Sequence, residues 1–293
     1  MNKIGIHFGY FNENWDTDFV KQIEQVKKLG FDILEVAPAP LLARNKSQRD
    51  EIARAAKDNE IEITFSVGLG REYDISSESS SVRQNGIRFV KDSFNIMKEM
   101  GANMFSGVDT GAWNKTYDFG CKDKRKDLEY SIGSVREIMK QAESDGITFA
   151  VEVVNRYESA LINTAEEAVA YVDEVGSPNC KILLDTYHMN IEEDSFGDAI
   201  RLVGTGRLGH FHVGEANRRP PRAAGRMPWD EITSALKEIH YTGRIVMEPF
   251  IKTGGEVGRD IKVWRDISRG ASLAEREQMV ADSVKMLREK MNG

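Results

Sequence analysis

Strand and helix signals alternate along this chain from end to end, and that alternation limits the fold more than any other feature. Residues 3–9 read as a strand, and Asp16 opens a helix whose Phe19, Ile23, Val26 and Leu29 share one face before Gly30 stops it. Further strands are expected over 31–36, 61–67, 103–107, 147–153, 179–185, 207–213 and 243–248. The helices between them are expected over 47–59, around Ile87, Val90, Phe94 and Met97, and around Leu128, Ile132, Val135 and Met139. Others follow over 164–175, where Thr164-Ala165-Glu166-Glu167 has the form of a capping box, over 193–203 and over 229–239, and a last one runs to about Lys290. Two long polar loops, 68–81 and 108–126, interrupt the pattern. Such alternation implies parallel strands joined by crossover helices, and eight units favour a closed (β/α)8 TIM barrel over an open sheet. The length fits one barrel domain, 1–293, with a C-terminal helical extension, since such barrels run to roughly 250 residues.

The formal net charge of −7 argues against nucleic acid or an anionic membrane as a partner. There is no apolar run near the roughly 18 residues of a membrane span, and no signal-peptide pattern at Met1. Cys121 and Cys180 are too few for a disulfide framework or a zinc knuckle and read as free thiols in a reducing, cytoplasmic compartment. No Gly-x-Gly-x-x-Gly follows the first strand, which weakens a dinucleotide-binding reading.

Four predicted strands deliver a metal-ligand type at or near their C-terminal end: Glu152, Asp185, His212 and Glu248. Any one of them has an ordinary structural explanation, a helix cap or a buried ion pair. In a barrel, however, all strand C-termini converge on one mouth, so residues some thirty apart can meet at one point. Three carboxylates and one imidazole form a hard, oxygen-rich donor set that suits Mn²⁺, Mg²⁺ or Co²⁺ better than a structural zinc. His210 shares a face with His212 but lies one layer deeper, as a hydrogen-bonded core histidine. The same mouth receives Glu35, Glu158, His188 (expected in a loop) and Arg218, with Trp113 and Phe250 as an apolar wall. Arg218 suits a polyhydroxy ligand or a developing enolate.

The segments Val151-Glu152-Val153-Val154-Asn155-Arg156-Tyr157-Glu158, Leu184-Asp185-Thr186-Tyr187-His188-Met189-Asn190, Gly209-His210-Phe211-His212 with Gly214-Glu215-Ala216-Asn217-Arg218, and Met247-Glu248-Pro249-Phe250 resemble the ketose 3-epimerases, the D-tagatose and D-psicose (D-allulose) 3-epimerase group of the xylose-isomerase-like barrels. Leu161-Ile162-Asn163-Thr164-Ala165 and Ile261-Lys262-Val263-Trp264-Arg265-Asp266 extend the likeness, which covers nearly the whole chain. The resemblance implies Mn²⁺ or Co²⁺ on Glu152, Asp185, His212 and Glu248, sugar contacts from Glu158, His188 and Arg218, and a homodimer or homotetramer. Three places depart from the family pattern: His7, where an aromatic residue often stands beside the sugar, and the segments 67–73 and 219–226. They bear on the far end of the sugar and so on the preferred ketose.

The chemistry this implies is epimerisation at C3 of a free ketose. Its C3 proton is acidic because it lies α to the C2 carbonyl, and Glu152 and Glu248 would transfer protons on the two faces. The nearest rival is an aldose–ketose isomerase or another sugar or inositol enzyme on the same barrel. More distant rivals are a metal-dependent abasic-site endonuclease, which needs a histidine-rich three-metal cluster, and a non-catalytic sugar-binding protein.

Overall fold

The computed structural model describes residues 2–117 and 123–292. In chain order the elements are β1 (Ile4–His7), α1 (Phe19–Lys28), β2 (Ile33–Val36), α2 (Pro38–Leu42), α3 (Lys46–Asp58), β3 (Glu62–Gly68), α4 (Ser80–Met100), β4 (Met104–Val108), α5 (Arg125–Asp145) and β5 (Thr148–Val153). There follow α6 (Ala165–Val175), β6 (Cys180–Asp185), α7 (Thr186–Glu192), α8 (Phe196–Arg207), β7 (Leu208–Val213), α9 (Trp229–Glu238), β8 (Arg244–Met247), α10 (Gly255–Asp260) and α11 (Leu273–Asn292). The eight strands close into one parallel barrel in sequence order, β8 returning to pair with β1. α11 lies against β1 and α9 and hydrogen-bonds to α1 through Glu277, which accepts from Gln25 at 2.6 Å. It thereby completes the outer ring of helices. Cys121 lies outside the described residues; Cys180 is a buried free thiol.

Strand alternation sorts the side chains. Met104, Ala150 and Leu183 pack together as a separate interior cluster, whereas Phe105 and Phe149 belong to the main core and stack at 5.7 Å. Residues two further along β5 and β6 share the interior phase of Ala150 and Leu183, and these are Glu152 and Asp185. On β7 the phase is set by an irregularity: Ile182 pairs with Leu208, but Leu183 pairs with His210, so Gly209 is an extra residue. Were Gly209 paired in an unshifted ladder, Asp185 would face Phe211; because the register skips it, Asp185 faces His212. Only glycine fits there, because a Cβ would stand 2.5 Å from the Lys181 Cβ.

The predicted elements recur with small shifts at their ends. Three details differ. Pro38 and Pro40, which as prolines would end the strand over 31–36, also open the short helix α2, where a proline's fixed φ and missing N–H are tolerated. His188, expected in a loop, lies in α7, because Asp185 caps that helix by accepting the Tyr187 N–H at 2.8 Å. At α6 only half of the expected box forms: Thr164 Oγ1 accepts from the Glu167 N–H, but Glu167 reaches back to the N–H of Asn163.

Candidate metal centre and sugar pocket

At the C-terminal mouth of the barrel, Glu152, Asp185, His212 and Glu248 offer one ligand atom each, all within 4.8 Å of one another. β5, β6 and β7 supply the first three. Glu248 stands one residue past β8, held in line by its N–H donating to Val213 O at 3.1 Å. The donor set fits a divalent cation on a further observation. His212 Nδ1 is buried, has no hydrogen-bond partner among the described residues, and lies 3.9 Å from Glu248 Oε2. A buried imidazole nitrogen aimed into a ring of carboxylates is the arrangement expected of a metal ligand.

Asp185 has two duties. One oxygen caps α7, and the other accepts from Arg218 Nη1 at 2.8 Å. The same Nη1 donates to Glu248 Oε2 at 2.6 Å. Arg218 adopts a left-handed φ of 61°, and its guanidinium stacks 3.9 Å from the centre of the Tyr187 ring. The loop that carries it is pinned to α7, since Thr186 Oγ1 accepts from the N–H of Gly214 and donates to that residue's carbonyl, both at 2.9 Å. Burial opposes charge on Asp185, but Arg218, His188 and His212 overcome it and draw its pKa down. Glu248 is pushed up, to about 8, by burial and by the like charges of Glu152 and Asp185, against the pull of Arg218 and His212.

His188 Nδ1 accepts from the backbone N–H of Asn155 at 3.0 Å, which assigns the ring proton to Nε2. That Nε2 is 3.4 Å from Glu152 Oε1 and 3.3 Å from Arg218 Nη2. Glu158 accepts from Trp113 Nε1 at 3.0 Å and from Asn155 Nδ2 at 3.3 Å. Burial raises its pKa, yet the charges of His188 and Arg218 prevail and hold it low.

Above these groups lies a cavity of about 350 Å³, within the range of small-molecule sites. His7, Trp15, Trp113 and Phe250 form its apolar side, and Glu152, Glu158, His188, Arg218 and Glu248 its polar side. His7 Nδ1 accepts from the Gly9 N–H at 3.2 Å, and burial lowers the His7 pKa to about 4, so the ring is neutral with its proton on Nε2.

Glu35, read from sequence as a sugar contact, does not line this cavity. It is wholly buried and engages both β7 histidines. Of the segments that depart from the family pattern, His7, Val67 and Gly68 reach the cavity wall, and none of residues 219–226 does. That loop is instead gathered onto buried Glu215, which accepts from the Arg222 and Arg226 N–H groups and from Trp229 Nε1. Sequence reasoning missed Trp15 and Asn155. Trp15 sits in the loop after β1, where an aromatic residue is a pocket candidate by position, and its Nε1 donates to Asp260 Oδ2 at 2.8 Å. Asn155 gave no signal of its own, since its role is to hold His188 and Glu158.

Comparison with known proteins agrees with this geometry. A family model described as a xylose isomerase-like TIM barrel matches residues 23–290. The D-psicose 3-epimerase of Agrobacterium fabrum is 44% identical over 276 residues, 94% of each chain. That of Ruminiclostridium cellulolyticum is 44% identical over 95% of each chain. A crystal structure of D-psicose 3-epimerase with D-tagatose, from Clostridium cellulolyticum H10, superposes with a TM-score of 0.95 at 42% identity, covering 99% of both chains. The chain belongs to the xylose isomerase-like TIM-barrel family and, within it, to the ketose 3-epimerases.

Proposed function

We propose that this protein is a divalent-metal-dependent epimerase that interconverts the C3 epimers of free ketohexoses, of the D-fructose/D-psicose and D-tagatose/D-sorbose type. The observation that carries the reading is the pair Glu152 and Glu248. They come from strands three apart around the barrel, border one cavity, and share a potential metal site with Asp185 and His212. Mn²⁺ or Co²⁺, with Mg²⁺ as a third candidate, suits these oxygen-rich donors. A cation held by these residues would polarise the C2 carbonyl and stabilise the negative charge that develops on O2.

The protein's own groups do the rest. One of Glu152 and Glu248 removes the C3 proton as a carboxylate, and the other, as the acid, delivers a proton to C3 from the opposite face. Arg218 and the Nε2–H of His188 donate to O1 and O2 and stabilise the negative charge that accumulates on O2. Glu158 accepts from the O1 hydroxyl and holds Trp113 in place. Trp15, Trp113 and Phe250 exclude water from the reacting carbons, and the His7 Nε2–H reads a hydroxyl at the far end of the sugar.

The exposed aromatic rings of Tyr157 and Trp264 support assembly into a homodimer or homotetramer. Among the described residues no helix is long and apolar enough to cross a membrane. The buried free thiol of Cys180 is in keeping with a cytoplasmic enzyme. The test is incubation of Mn²⁺-loaded protein with D-fructose, D-psicose, D-tagatose, D-sorbose and L-ribulose. Each active ketose is expected to yield its C3 epimer, and an aldose product would assign an aldose–ketose isomerase instead.

A further inference from the structure

Beneath the four candidate ligands lies a second layer of polar side chains, sealed from solvent. Glu35 on β2, Thr64 on β3 and His210 on β7 form it, and like the ligand His212 above them they are 0% exposed. Glu35 Oε2 accepts from His210 Nε2 at 2.8 Å and from Thr64 Oγ1 at 2.9 Å. Glu35 Oε1 lies 2.9 Å from His212 Nε2, at ion-pair distance although off the ideal hydrogen-bonding angle. One carboxylate thus spans the barrel interior to hold two histidines of the same strand.

We propose that Glu35 is the positioning residue of the metal centre, holding His212 with its proton on Nε2 and its Nδ1 lone pair turned toward Glu152, Asp185 and Glu248. The inference rests on the metal-site reading given above and adds to it the group that makes His212 a ligand. The argument is one of donors and acceptors. An ionised carboxylate can only accept, so the nitrogen facing Glu35 must carry hydrogen. A neutral imidazole has one N–H, so the other nitrogen keeps its lone pair. That other nitrogen, Nδ1, is buried, makes no hydrogen bond among the described residues and lies 3.9 Å from Glu248 Oε2, whereas Nε2 has Glu35 Oε1 at 2.9 Å.

Burying a carboxylate is costly, and Glu35 is compensated by three donors from two strands. Its place in the fold is equally constrained. Glu35 pairs with Thr64 in the β2–β3 register and with His7 in the β1–β2 register, so its phase is interior like theirs. Thr64 donates to Glu35 Oε2, the oxygen that holds His210 and not the one facing His212, which makes it an internal control.

The experiment compares the full-length wild type with Glu35→Gln and Thr64→Val by Mn²⁺ titration, followed by electron paramagnetic resonance of the free ion. Melting curves are recorded without and with Mn²⁺. Glutamine keeps the shape but presents an N–H₂ where an acceptor is needed. The expected result is an Mn²⁺ dissociation constant raised about 10–100-fold in Glu35→Gln, the range for lost partners of metal-bound histidines. Thr64→Val should bind Mn²⁺ within about threefold of wild type, since a hydroxyl deleted behind the partner moves affinity less than the partner itself. Should Glu35→Gln not fold, the wild type decides through ¹⁵N spectra of the imidazoles with Mg²⁺ bound, which should show a protonated Nε2 on His212. Equal Mn²⁺ affinity in wild type and Glu35→Gln, or a protonated Nδ1, overturns the role of Glu35 while leaving the metal site standing. Absence of Mn²⁺ binding by the wild type overturns both.

Discussion

Asp185 and His212 face each other in the β6–β7 ladder because the register shifts at Gly209, which is left unpaired between Leu208 and His210. The shift keeps His212 in the interior phase, where its Nδ1 meets the carboxylates. Gly209→Val would force a side chain against Lys181, whose Cβ is 2.5 Å from the position a Cβ would take. A stability loss of about 1–3 kcal/mol is expected, as for other overpacked sites. Deleting Gly209 leaves Leu208 opposite Ile182 and His210 opposite Leu183 in an uninterrupted ladder, so His212 still faces Asp185 and Mn²⁺ binding should be retained, as calorimetric titration would show.

Glu152→Gln and Glu248→Gln should each lower kcat by about 10²–10⁴-fold, the usual contribution of a positioned acid or base. Far-UV circular dichroism should be unchanged. The comparison that matters is with Asp185→Asn, which should weaken metal binding first and turnover as a consequence.

Arg218 bridges Asp185 and Glu248 with a single nitrogen while its plane lies over Tyr187. Lysine has neither the planar fork nor the stacking face. Arg218→Lys keeps the charge and a similar tolerance for the left-handed backbone at φ 61°, so fold and net charge are controlled. Loss of about 10²-fold in kcat/KM is expected, comparable with removal of a donor to a developing oxyanion. Retention of wild-type kcat/KM would show that charge alone suffices.

His7 offers a neutral Nε2–H in a wall otherwise made of Trp15 and Phe250. His7→Phe keeps the aromatic contacts and removes the donor. KM should rise several-fold, in line with about 1 kcal/mol for one hydrogen bond, with kcat nearly unchanged. The ranking among ketoses that differ at C4 should also change. A fall in kcat at constant KM would place His7 in the chemistry instead.

Asp109, just past β4, is completely buried, and neither of its oxygens has a hydrogen-bond partner among the described residues. Burial raises its pKa well above the ordinary 3.8, and the charge of Glu152 adds to this. The folded chain therefore keeps the proton that the unfolded chain releases above that value. Its contribution to stability is full below the unfolded pKa and is lost as pH rises through the folded one. Asp109→Asn should gain about 1–3 kcal/mol over wild type at pH 8, on the scale of an unsatisfied buried group, and much less at pH 4. Urea unfolding at the two pH values measures the difference.

These sites differ in how far they can be read from the chain. Glu152, Asp185 and Glu248 are legible because an acid closing an apolar strand is conspicuous and a barrel brings such ends together. His188 needed the structure, since Asp185 starts a helix there and that reach decides where the imidazole points. Glu35 is an acid near a strand end like the others, yet its partners lie on β7, across the barrel interior. Strand periodicity gives the face of a residue but not its depth or its neighbours across the interior. The Gly209 insertion is likewise invisible in an apolar strand pattern, because it depends on pairing with β6. Asp109 escaped notice for the opposite reason: it follows a strand like a ligand would, but carries the outward phase of Phe105 and Gly107.

The central claim, proton transfer at C3 between Glu152 and Glu248, is tested most directly by turnover in deuterated water. Mn²⁺-loaded protein incubated with D-fructose in D₂O should yield D-psicose carrying deuterium at C3, with C1 unlabelled, as read by ¹H and ¹³C NMR. Deuterium at C1, accompanied by an aldose, would contradict the account.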